Sequence, residues 1–334
     1  MIRYIILGAI LALLLLLIYP NYSILKIKST TSQKFTVPQS SWGKEERNLF
    51  NHVNHLSESV GSRSFSEPSK IAAARDYIVN TLLKYGIKPS LQNFSVGNTV
   101  FSNIIVTFSG QKFPDEIIVI GAHYDTVLGT PGADDNASAV AMLLETARIM
   151  AGSTHGRTLK LVFFVLEEPP VFGTENMGSR IFARRARENN MDIRAMISLE
   201  MVGYFSDAKR KQAFPLPFMS LFYSTTPDFI AVVGNLKSKD LVKNVKHALK
   251  EGCSVPVEIL AAPSIVPGVS LSDHGSFWKE GYPAVMITDT AFYRNPNYHQ
   301  STDTKDTLDY QTMEELLKGI VHVAGNLAGA GNDG

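Results

Sequence analysis

From Trp42 onward the hydrophobic positions alternate between two periods. "EERNLFNHVNHLSESV" sets Leu49, Phe50, Val53 and Leu56 on one helical face. "EPSKIAAARDYIVNTLLKYGI" predicts a second helix, closed at Gly86. Three strand-like segments follow, "PSLQNFSV", "NIIVTFSG" and "DEIIVIGAHYD", and "QNFSVGNTVFSNIIV" predicts that the first two pair antiparallel. The order continues with the helix "NASAVAMLLETARIMAG", stopped by Gly152, the strand "LKLVFFVLEE", the helix "NMGSRIFARRARENN" and the strand "IRAMISLEMVGY". A long irregular region then precedes the helix "SKDLVKNVKHALKEG", and the strand "PAVMITDT" leads through a loop to a last helix, "TMEELLKGIVHVAGNLAG". Strand–helix alternation with near-continuous apolar strands predicts an α/β domain. Its central sheet is expected to be mixed but mostly parallel, with helices on both faces.

Residues 1–22 break this pattern. Arg3 is followed by an unbroken apolar run from Tyr4 to Tyr19, between a signal-peptide core and the ~20 residues of a full membrane span. No small-x-small cleavage site follows, so the segment reads as an uncleaved signal anchor, a hydrophobic helix that ties the chain to a membrane by a single pass. Anchors of this kind precede translocated domains, which places the folded part outside the cytoplasm; the alternative is a cleaved signal and a secreted or periplasmic product. Residues 23–41, with "STTSQKFTVPQSS", read as a polar tether, and residues 42–334 as the folded domain.

Composition narrows the function classes. With 334 residues, 45% hydrophobic and 19% charged, the chain has ample material for a core. A net charge of +1 offers no field for nucleic acid, and the lysines of "LKSKDLVKNVKHALK" fall opposite Leu241, Val242, Val245 and Leu249, as on a solvated helix face. The one cysteine, Cys253, excludes an intramolecular disulfide and a thiolate zinc site; it reads as a small buried residue. The pattern carries no signal for oligomerisation.

The chemistry gathers where strands end. "EIIVIGAHYDTV" finishes on His123 and Asp125, "LKLVFFVLEE" on Glu167 and Glu168, "AMISLEMVG" on Glu200, and the loop after "PAVMITDT" brings His299. "GADDNAS" adds Asp134 and Asp135 ahead of a helix. Ligands of open α/β sheets bind outside the carboxyl ends of the strands, and carboxylates collected there need a cation. Imidazoles and carboxylates without thiolate suit zinc or a similar divalent metal, and a shared carboxylate suits two ions. His52, His55, His155, His247 and His322 lie away from these strand ends and read as structural or solvated.

The series "GAHYDTV", "GADDNASAV", "LEEPPVFGTENMGS", "SLEMVGY", "SDHGSFW" and "YHQSTDT" resembles, in order and spacing, the M28 family of zinc peptidases, aminopeptidase Y type, in its bacterial membrane-associated or exported members. The likeness runs from about Trp42 to the last helix. It implies a zinc-exopeptidase fold and two zinc ions: His123 and Glu200 on one, Glu168 and His299 on the other, and Asp135 bridging both. It implies Glu167 as general base, Asp125 orienting His123, and a cis peptide after Asp135. Asp303 is expected to orient His299 in the same way. Glu200 stands where the family more often has aspartate, Ala139 where glycine is usual, and "EEPPVFGTENMGS" is longer than the common form. The resemblance implies a peptide substrate and, most directly, an aminopeptidase; a carboxypeptidase would want a positioned arginine, for which Arg294 is the candidate against a structural role for it. Tyr293 or Tyr298 is expected to donate to the tetrahedral oxyanion, and Asp273 and His274 to support the site. The alternatives are a single-zinc acyltransferase like the glutaminyl cyclases and a non-catalytic binding protein on the same scaffold.

Overall fold

The computed structural model describes residues 42–329; the expected anchor and tether lie outside them. Among the described residues no helix is long and apolar enough to cross a membrane.

Two helices open the domain, α1 (Lys44–Asn54), running on through a π-helical turn at His55–Val60, and α2 (Pro68–Lys84). Strands β1 (Ser90–Val96), β2 (Thr99–Phe108) and β3 (Gly110–His123) follow, then α3 (Ala139–Met150) and β4 (His155–Phe164). The order continues with α4 (Gly178–Glu188), β5 (Asp192–Glu200), β6 (Ile230–Gly234), α5 (Lys239–Gly252), β7 (Val257–Ala261), α6 (His274–Lys279), β8 (Ala284–Thr288) and α7 (Tyr310–Ala328). They build one eight-stranded sheet in the order β1-β2-β4-β3-β5-β8-β6-β7. The central pairs β4–β3, β3–β5 and β5–β8 are parallel, as is β6–β7; β1–β2, β2–β4 and β6–β8 are antiparallel.

The central strands are apolar throughout because both faces are covered. Along β3, Ile118, Ile120 and Ala122 join a core with Leu49, Ile78, Leu143 and Leu317 from α1, α2, α3 and α7. The alternate residues Ile117 and Val119 pack with Phe182 of α4 and Phe277 of α6. Alternating faces of one strand therefore feed two cores. Gly121 permits a close contact within the sheet: a Cβ there would lie 2.3 Å from the Phe164 ring.

The region expected to be irregular before α5 holds β6, five fully buried residues paired antiparallel to β8. Beyond α5 lie the edge strand β7 and the short α6, neither of which the periodicity marked. Like β8, both β6 and β7 are too short to establish a period; β8 is legible because its apolar run leads into the His299 loop, whereas β6 ends at Gly234 and β7 is interrupted by Glu258 and partly exposed.

Candidate metal centre

The carboxyl ends of the parallel strands converge as expected. His123 closes β3 and is fully buried. Strand β4 stops at Phe164, so Glu167 and Glu168 lie on the turn beyond it, reached through Leu166 at φ 64°. Glu200 ends β5, followed by Met201 at φ 47°, and His299 itself sits at φ 56°. Side chains at positive φ are uncommon outside glycine and concentrate at functional sites.

Among the described residues three groups of ligand atoms form: His123, Asp135 and Glu200; Asp135, Glu168 and His299; and His123, Glu167 and Glu168. The first two share Asp135. Asp135 divides its carboxylate between them: Oδ1 lies 3.4 Å from His123 Nε2, and Oδ2 lies 3.2 Å from His299 Nε2. Glu200 Oε2 stands 3.4 Å from His123 Nε2, and Glu168 Oε2 stands 3.3 Å from His299 Nε2. Glu167 Oε2 approaches His123 Nε2 to 3.9 Å.

The donor set fits two zinc ions. His123 Nε2, Asp135 Oδ1 and Glu168 Oε1 are buried and have no hydrogen-bond partner among the described residues, although buried polar atoms are otherwise almost always paired. Without a cation the cluster would be held together by protons. Burial pushes the Glu167 carboxyl well above its ordinary range; His123 opposes this, and the negative charges of Glu200 and Glu168 add to it. Burial, then Asp135, pushes Glu168 up to about 8. Burial disfavours the His299 imidazolium, but hydrogen bonds to Asp135 and Glu168 raise its pKa to about 10. Divalent cations among these groups remove that proton demand.

The supporting contacts differ from two expectations. The Asp125 carboxylate accepts the N–H groups of Glu167 and Glu168, at 3.1 Å each. It stands 3.6 Å from His123 Nδ1, which instead lies 3.2 Å from the Asp125 carbonyl oxygen. Asp125 thus orients His123 through its backbone and fixes the Glu167–Glu168 turn with its side chain. Asp303 does not reach His299: its oxygens accept the N–H groups of Asp134 at 2.9 Å and Asp135 at 3.1 Å. The peptide Asp135–Asn136 is cis. The Asn136 side chain donates to the Leu199 carbonyl and accepts from the Met201 N–H, both at 3.0 Å, which ties the Asp135 turn to the residues flanking Glu200. Ser272 Oγ donates to Glu200 at 2.7 Å.

Behind the site lies Arg63, which sequence reasoning passed over in "GSRSF". It is fully buried. It donates to the carbonyls of Tyr124, Leu56, Gly61, Pro131 and Gly132 at 2.8–3.0 Å. It therefore fastens the chain on both the His123 and the Asp135 sides of the centre. Gly132, at φ 62°, leaves no room for a side chain; a Cβ would lie 2.3 Å from Thr126 Cγ2.

Beside Glu200 opens a cleft of about 810 Å³, counting its mouth, with apolar walls that include Phe214, Met219, Val269 and Met286. Tyr293 and Tyr298 line it; Tyr298 stacks on His299 with ring centroids 3.7 Å apart, and the Tyr293 hydroxyl donates to the Pro267 carbonyl at 3.4 Å. Arg294 does not face it. Arg294 is 5% exposed, donates to Gln212 Oε1 and the Phe229 carbonyl at 2.8 Å each, and lies over the Phe229 ring. Its structural role is the observed one. Asp273 and His274 are fully buried and outside the three ligand groups. His52 sits between the hydroxyls of Tyr77 and Tyr85, and His55, His155, His247, His322 and Cys253 are likewise outside the groups.

Residues 103–324 match the model of peptidase family M28. The chain is 37% identical over 277 residues to uncharacterized protein YfbL of Escherichia coli (strain K12), covering 80% of this chain and 84% of that protein. It is 28% identical over 234 residues to leucine aminopeptidase 1 of Chaetomium globosum, 65% of this chain but only 50% of that longer protein. Its fold is similar to that of BSAP, a zinc aminopeptidase from Bacillus subtilis, at a TM-score of 0.68 with 13% identity, covering 86% of this chain and 96% of that one. The matched span, the shared fold and the paired ligand groups agree: the chain belongs to peptidase family M28, as a zinc metallopeptidase.

Proposed function

We propose that the protein is a dinuclear zinc aminopeptidase of the aminopeptidase Y type. Residues 42–334 form its catalytic domain, held outside the cytoplasm at a membrane by residues 1–22 through the tether 23–41. The observation that carries the catalytic reading is the division of Asp135 between the two histidines. His123 and Glu200 would hold one ion, Glu168 and His299 the other, with Asp135 common to both. Bound there, two zinc ions supply Lewis acidity toward a peptide carbonyl and toward water.

The chain's own residues do the rest. Glu167 is the general base: it lies beside the His123 ligand group without a place in the bridged pair. Burial favours the protonated form of its carboxyl, so it can take a proton from water and return it to the leaving amine. Asp125 holds Glu167 in place through its N–H. Of Tyr293 and Tyr298, we assign Tyr298 as the donor to the developing oxyanion, a reading supported by its stacking on His299 at the cleft wall. The cleft beside Glu200 receives the N-terminal side chain, and its lining includes no arginine or lysine. A carboxypeptidase needs such a cation to pair its substrate's terminal carboxylate, and Arg294 is committed elsewhere.

The test compares free-amine and N-blocked aminoacyl anilides with the zinc-loaded protein and its Glu167→Gln variant. The expected result is cleavage of free-amine substrates alone, and a loss of about 10²–10⁴ in kcat for the variant with its zinc retained. Cleavage of blocked substrates, cyclisation of N-terminal glutamine, or full activity in Glu167→Gln would contradict the reading.

A further inference from the structure

The floor of the cleft is a registered row across four strands. Glu200 of β5 pairs with Thr288 of β8, Thr288 pairs with Ala231 of β6, and Ala231 pairs with Glu258 of β7. Residues directly opposite share a face of the sheet, and all four line the cleft. The row thus runs from a ligand of the metal centre, past two small side chains, to a carboxylate on the edge strand. Three inter-strand steps of about 4.8 Å put Glu258 about 14 Å from Glu200 along the backbone.

Glu258 is partly buried, and no hydrogen bond or ion pair joins its carboxylate to another described residue. The remaining walls are apolar or uncharged, so once Glu200 is engaged at the metal centre, Glu258 is the charge left in the cleft. Its neighbours Ile259 and Leu260 on β7, and Met286 on β8, line the same space. An apolar channel with an unpaired carboxylate beyond it matches a side chain with an aliphatic stem and a terminal cation. A lysine side chain reaching about 6 Å, a glutamate about 4 Å and a charge-assisted hydrogen bond of about 3 Å together span about 13 Å, the scale of the separation between Glu200 and Glu258. A leucine side chain fills the near part of the channel and stops short of Glu258.

We propose that Glu258 is a specificity-determining residue, and that the preferred substrates are peptides whose N-terminal residue is lysine or arginine. This rests on the aminopeptidase reading above and names its substrate class.

The test measures kcat/KM for lysyl, arginyl, leucyl and norleucyl anilides, norleucine being lysine without its ammonium group. The wild type is expected to favour lysine over norleucine about two- to fivefold at low salt, a margin that shrinks as salt screens the partly exposed pair. Glu258→Gln is expected to bring that ratio to one or below, and Glu258→Lys to reject the cationic substrates, with zinc content checked in each. A wild-type ratio at or below one, or a ratio unchanged in Glu258→Gln, overturns the proposal while norleucyl cleavage leaves the aminopeptidase reading intact. Failure of the zinc-loaded protein to cleave any of the four overturns both.

Discussion

Asp303→Asn is the replacement that separates two accounts of how the centre is held. Asp303 is fully buried and accepts the Asp134 and Asp135 N–H groups with its two oxygens. Asparagine keeps the shape but has one oxygen. The other position becomes an NH₂ group facing an N–H donor. One charge-assisted hydrogen bond is lost, worth about 1.5–3 kcal/mol. The displaced group is the backbone of Asp135, whose carboxylate serves the two ligand groups that share it. Zinc affinity should therefore fall about 10–100-fold, and it should fall for both ions together. A role through His299 would weaken only the ion held by Glu168 and His299. Competition with a chromophoric chelator, followed through both zinc equivalents, reads the two affinities. Zinc binding within twofold of wild type would refute the reasoning, and loss confined to one equivalent would restore the role through His299.

Arg63→Met should cost about 3–5 kcal/mol of stability in urea denaturation, because it removes the buried partner of five carbonyls; a cost below about 1 kcal/mol would contradict that account. Glu145 is fully buried, and although burial raises its carboxyl, hydrogen bonds from His52, Arg148 and Asn48 hold it down at about 2. A depressed folded-state pKa adds stability that is present above the ordinary carboxylate pKa and lost as pH falls through the folded value. Stability should therefore decline from about pH 4.5 to pH 2, and Glu145→Gln should flatten that part of the ΔG–pH curve. Gly121→Ala places a methyl 2.3 Å from the Phe164 ring, two residues before His123 on β3, which should cost about 1–3 kcal/mol by overpacking, read as a lowered melting temperature.

What the sequence made visible was whatever a strand pattern and its end residues can carry. Strands β3, β4, β5 and β8 are apolar runs that stop at polar ends, and their covered faces explain both the pattern and the convergence of His123, Glu167, Glu168 and Glu200. Strand β6 is as short and as apolar as β8 but ends at Gly234 with no ligand residue beyond it, so nothing marked it. Partnerships across the fold were hidden for a different reason. Asp303 and Asp134 are separated by 169 positions, and Arg63 and Gly132 by 69. No local signal distinguishes a carboxylate that orients a histidine from one that braces a turn. Arg294 shows the same limit in reverse: its position near His299 suggested a substrate contact, and only tertiary packing against Phe229 and Gln212 commits it to structure.

The central claim is a pair of zinc ions bridged by Asp135. Anomalous diffraction at the zinc edge from crystals of the zinc-loaded protein tests it most directly. The account predicts two peaks about 3.5–4 Å apart, one about 2.1 Å from His123 Nε2 and the other about 2.1 Å from His299 Nε2, with the Asp135 carboxylate between them. A single peak at full zinc saturation, or two peaks that do not share Asp135, would contradict it.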